Sequence, residues 1–105
     1  MITAKQLQLF KKGKDMELKD TIEMMTSDNY KERFKAEYYQ IKIRYEKLKD
    51  LNTRKEAADR TMGSAVEFPM PVCVCPYDVL IEQQSIMEHY LHILEVRAKI
   101  EGITL

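Results

Sequence analysis

The sequence predicts an all-α fold: a long antiparallel helical hairpin with short N-terminal helices, assembled as a homo-oligomer. Three observations predict it. Only three glycines and three prolines occur in 105 residues, too few for a sandwich or barrel that turns about every ten residues. Two segments carry apolar residues at alternating spacings of four and three, the pattern of one helix face. Between them lies a stretch holding all three prolines, which a helix cannot cross.

The elements follow in order. Thr3 stands three residues before Gln6, with Leu7 and Phe10 at helical spacing, so a first short helix is expected before Gly13. Asp15 precedes Met16, Leu18, Ile22 and Met25, which allows a second short helix to about Thr26. Residues 1–26 thus form the N-terminal part, and residues 27–105 the hairpin. Ser27, Asp28 and Asn29 are all good N-caps, and Asn29 stands three residues before Glu32, so a long helix starts near Tyr30. Phe34, Tyr38, Ile41, Tyr45 and Leu48 form its stripe. No glycine or proline falls between Tyr30 and Met62, so the helix can run into Ala57 and Ala58 before Gly63 ends it.

A loop of about residues 63–77 follows, where Pro69, Pro71 and Pro76 interleave with Phe68, Met70, Val72 and Val74. It is expected to be extended and to lie against protein. Asp78 is expected to cap the last helix, whose stripe is Leu80, Gln84, Met87, Leu91, Leu94 and Ala98, ending near Gly102. A second stripe, Ile86, Tyr90, Ile93 and Ile100, makes its apolar arc wider than one partner helix covers. A bare two-helix unit buries too little to be stable alone at this size, so assembly through residues 80–100 is expected.

Seventeen basic residues balance seventeen acidic ones, so the overall attraction that draws a protein to duplex nucleic acid or an acidic membrane is missing. The charge is uneven. Residues 27–60 carry ten basic and seven acidic side chains, and residues 61–105 carry two and six, which favours pairing of the two helices. No apolar run approaches a membrane span and no apolar stretch follows the first residues, so the expected location is the cytoplasm. Cys73 and Cys75 are too close to bridge to each other readily and read as reduced thiols.

Sites of chemistry are few. Cys73, Cys75, His89 and His92 have the ligand types of a tetrahedral zinc site, yet His89 lies about 16 Å along its helix, beyond easy reach of the cysteines. Solvated histidines beside an apolar loop with two buried thiols are the favoured reading, and no metal is assigned. No nucleophile motif, phosphate loop or cofactor signature occurs, so the protein is expected not to be an enzyme and to use no cofactor. The long helix instead interleaves rings with cations. Rings stack on bases and cations grip phosphates, although Phe34, Tyr38 and Tyr45 already serve the core stripe and the cations are spaced like a solvated surface. If a ligand binds, the first candidates are Tyr30, Arg33, Tyr39 and Arg44, the residues left over once the core stripe is assigned.

The run from Asn29 through Tyr-Lys-Glu-Arg-Phe-Lys-Ala-Glu-Tyr, then Tyr45-Glu-Lys-Leu-Lys, then Gln83-Gln84-x-x-Met87-x-x-Tyr90-x-x-x-Leu94-x-x-Arg97, resembles small uncharacterised phage and prophage proteins. Their build is similar to that of phage counter-defence sponges, hairpin proteins that sequester cyclic nucleotide or cyclic ADP-ribose immune signals. That resemblance implies a ligand held between subunits, gripped by aromatic and basic side chains near the start of the long helix, where Tyr30, Lys31 and Arg33 stand. The alternative is a helical inhibitor that docks on a host defence protein such as a CRISPR nuclease, with Phe68 and Met70 as exposed anchors.

Overall fold

The computed structural model describes residues 16–61 and 74–105. The expected helix before Gly13, the Phe68 and Met70 anchors and Cys73 lie outside the described residues. Among those described, the protein is all-helical. A 3-10 turn (Leu18–Thr21) leads into α1 (Ile22–Met25), followed by α2 (Tyr30–Arg60) and α3 (Tyr77–Glu101). The second N-terminal helix therefore forms where expected but begins as a 3-10 turn. Glu17 caps it reciprocally, its backbone N–H donating to Asp20 Oδ2 at 2.9 Å.

α2 starts where its caps dictate. The Asn29 side chain accepts from the Lys31 N–H at 2.9 Å, and Ser27 Oγ accepts from the Asn29 N–H at 3.0 Å. Glu32 does not complete the expected box; it pairs with Lys35 at 3.5 Å. With 31 residues the helix is about 46 Å long. Its exposed last turns are laced by Asp50–Arg54, Lys55–Asp59 and Glu56–Arg60 pairs. It ends at Thr61, whose hydroxyl donates to the Ala57 and Ala58 carbonyls.

α3 corrects one expectation: Pro76, not Asp78, is its N-cap. The Pro76 carbonyl accepts from Val79 and Leu80, so Tyr77 already lies in the first turn. Asp78, second in the helix, can still complement the macrodipole. The far end matches expectation. Gly102 takes the left-handed conformation at φ 70°, and the Ile103 N–H returns to the Ala98 carbonyl at 2.8 Å, tucking Ile103 into the core.

α2 is the central element. On one side α3 runs antiparallel to it, since Tyr30 reaches Glu101, Tyr38 reaches Glu95, and Asn52 reaches Leu80 and Gln84. On another side lies the N-terminal segment, joined by the Gln40 Nε2 to Thr21 Oγ1 bond at 2.9 Å. Two buried faces follow. Phe34 and Tyr38 belong to the stripe toward α3, whereas Ala36, Tyr39 and Ile43 lie round the helix from it. Met16, Met24, Leu91, Leu94, Ala98 and Ile103 complete the core. No described helix is long and apolar enough to cross a membrane.

Asn52 is the polar residue buried on the α2 stripe, 3% exposed. Its Nδ2 donates to Leu80 O at 3.2 Å and to Gln84 Oε1 at 2.8 Å, while Oδ1 has no partner among the described residues. A polar residue in an apolar seam fixes register at a cost in stability. Asn52→Ala should therefore lower stability by about 1–2 kcal/mol. Asn52→Leu, which also removes the orphan oxygen, should cost less. Thermal melts of both variants check the order, and the reverse order would make Asn52 a net stabiliser.

Candidate functional site

The first turns of α2 and the last turns of α3 lie side by side, because the helices are antiparallel. Tyr30 donates its phenol proton to Glu101 Oε1 at 2.8 Å and accepts from Arg97 Nη2 at 2.9 Å. Arg97 Nε donates to Glu101 Oε2 at 3.2 Å. The same guanidinium lies over the Phe34 ring, 5.0 Å from its centre, and Phe34 meets Tyr30 edge-on at 6.3 Å. Further along, Tyr90 donates to Glu37. Tyr30, Tyr90 and Ile93 are 47%, 40% and 45% exposed, so this flank is a solvent-facing strip of rings, a guanidinium and carboxylates.

The carboxylates on this strip are already engaged. The hydrogen bond to Glu101 raises the Tyr30 pKa, and the one to Glu37 raises that of Tyr90. Both phenols therefore hold their protons through neutral pH and remain donors. Arg97, bonded on two sides and stacked on Phe34, is held as a fixed cation rather than a floppy one.

Of the sequence candidates, Tyr30, Arg33 and Arg44 share this flank of α2 through their spacing of three and eleven. Arg33 is exposed and gives only Nη1 to its own turn, at Ser27 O, 2.8 Å. Arg44 is exposed without a partner among the described residues. Lys31, two positions from Arg33, falls on the opposite flank, because residues two apart on a helix do not face each other. Tyr39 is not left over at the surface as expected: it is 7% exposed, and burial raises its pKa. A single-stripe reading missed it, since α2 is packed on two sides.

The opposite flank holds two clefts separated by the Tyr38–Glu95 hydrogen bond of 2.7 Å. Burial, then Glu95, pushes the Tyr38 phenol far above its usual range. One cleft of about 320 Å³ includes Lys42, Tyr45, Glu88 and His92, and another of about 560 Å³ runs past Lys99 to Ile103 and Leu105. Lys42 sits over the Tyr38 ring at 5.8 Å. Glu46, Glu88 and Glu95 line the smaller cleft, an unfavourable setting for a phosphate. His89, His92 and Cys75 are exposed, and no cluster of three or more metal-ligating side chains occurs among the described residues.

Arg97 and Tyr90 are the site residues that sequence reasoning missed. Tyr90 was assigned to an apolar stripe, and Arg97 showed no sign of meeting Tyr30 until the register of the two helices was known. No curated protein and no solved structure matches the chain. The model of one family, Sequestin, matches residues 28–100, from the turn that caps α2 to the last turn of α3. That match takes in both long helices, the strip between them and well over half of the chain, and the protein belongs to the Sequestin family.

Proposed function

We propose that the protein captures a small cyclic nucleotide or cyclic ADP-ribose-type immune signal and holds it away from its host effector, breaking no bond. It acts as a phage counter-defence protein in the cytoplasm of the bacterial host, as a homo-oligomer with the ligand between subunits. The family name supports sequestration of a ligand. The observation that carries the reading is the exposed strip in which the Tyr30 and Tyr90 rings stand with Arg97, which is fixed by Tyr30 and by the buried Phe34 ring beneath it, on the flank that also bears Arg33 and Arg44. A base stacked on an aromatic ring contributes about 1–3 kcal/mol, and arginine forks match phosphate oxygens in pairs. A stoichiometric sponge needs slow release, which such a combination favours.

Native mass spectrometry tests the reading. The protein is measured alone and after incubation with a mixture of cyclic dinucleotides, cyclic trinucleotides and cyclic ADP-ribose isomers. The expected spectrum shows an oligomer that gains the mass of one component, unchanged chemically, at a fixed ratio. A protein that gains nothing, or that releases a converted product, would refute sequestration of these ligands.

A further inference from the structure

We infer that the outward face of α3 is the contact surface for a second copy of this chain, with the two α3 helices antiparallel and a two-fold axis between His89 and Tyr90. This specifies the assembly in the preceding reading and rests on its oligomeric part alone. Four large aliphatic residues, Val79, Ile86, Ile93 and Ile100, recur at intervals of seven on this face, 48%, 61%, 45% and 78% exposed. They span about 32 Å of helix. None belongs to the core that α3 forms with α2, which uses Leu91, Leu94 and Ala98. A regular seven-residue repeat on the solvent side of a helix is the pattern of a second seam.

Charge selects both the occupant and its direction. The remaining charged or aromatic residues along this seam are Glu82, His89, Tyr90 and Arg97. With the axis between His89 and Tyr90, Val79 meets Ile100 of the second copy and Ile86 meets Ile93 of the second copy. In the same register Glu82 stands level with Arg97 of the second copy, and His89 with Tyr90 of the second copy. A parallel pair would set Glu82 against Glu82 and Arg97 against Arg97, placing like charges together twice. The seam is thus self-complementary only when one copy is reversed, which is the requirement of a two-fold interface. Arg97 and Tyr90 border both this seam and the strip carrying Tyr30, so pairing places the two candidate sites of the dimer beside the contact.

The test uses the full chain. Sedimentation equilibrium should give about 25 kDa, twice the 12.4 kDa of the chain, and Ile86→Glu should return it to the single-chain mass with its circular dichroism unchanged, since Ile86 is exposed. Direction is read by oxidising a mixture of Ile86→Cys and Ile93→Cys proteins in a Cys73→Ser, Cys75→Ser background. The mixed disulfide should dominate, because in the reversed register a residue 86 lies about 10 Å along the axis from its own copy, beyond disulfide reach. A single-chain mass for the unsubstituted protein, a dimer unaffected by Ile86→Glu, or self-linking of Ile86→Cys would each overturn the proposal.

Discussion

Reversing both arginines, Arg33→Glu with Arg44→Glu, should abolish capture of the proposed ligand, with affinity falling by at least about 100-fold. Each charge-assisted hydrogen bond to a phosphate contributes about 1.5–3 kcal/mol, so losing two removes about 3–6 kcal/mol before repulsion is added. Neither side chain enters the core, and the structural loss is confined to the Arg33 bond to Ser27 O. Isothermal titration with the ligand found by mass spectrometry reads the affinity, and circular dichroism checks that helicity survives. Lys31→Glu is the internal control. It changes charge by the same amount per site on the opposite flank of α2, and the affinity should stay within a few-fold of the starting protein. Binding that survives the double reversal would move the site to the clefts around Tyr38 and Glu95.

Leu94→Ala should be the most damaging single truncation. Leu94 is 1% exposed, among the largest fully buried side chains, and lies on the face of α3 that packs on α2. Truncating a buried leucine costs about 3 kcal/mol in lost transfer energy and residual cavity. In a domain of this size that lowers Tm by roughly 10–20 °C. The same substitution is not buffered by a large core, because only eleven apolar residues are buried among those described. A thermal melt followed at the helical band checks it, and a drop below about 4 °C would mean that the helices close over the gap.

The ends of the two long helices are written in the sequence within a few residues of where they fall. Asn29 starts the long helix because its side chain satisfies a free N–H locally, and Gly102 ends the last because only a few residues accept its left-handed backbone. The stripe of Ile86, Tyr90, Ile93 and Ile100 beside the core stripe was also legible, since it follows from periodicity alone, whereas periodicity does not say that no described element of the chain covers it. Pro76 in place of Asp78 as the cap shows the resolution limit of such signals, one or two residues at a helix end.

Contacts between distant segments were not legible. Tyr39 was expected at the surface because one stripe was assigned to α2, and nothing local reveals that a second element packs against the adjacent face. Asn52 carried no signal of its role, since an asparagine in a helix is as ordinary on a surface as in a seam. The meeting of Tyr30, Arg97 and Glu101 depends on the register of two helices that are distant in the chain, a property of their packed faces together. By itself, then, the sequence determined the helices, their ends and their faces, because caps and periodicity act within a few residues. Only the tertiary structure decided which faces are covered and which side chains form the strip, because packing and register are settled between segments that are far apart in the chain.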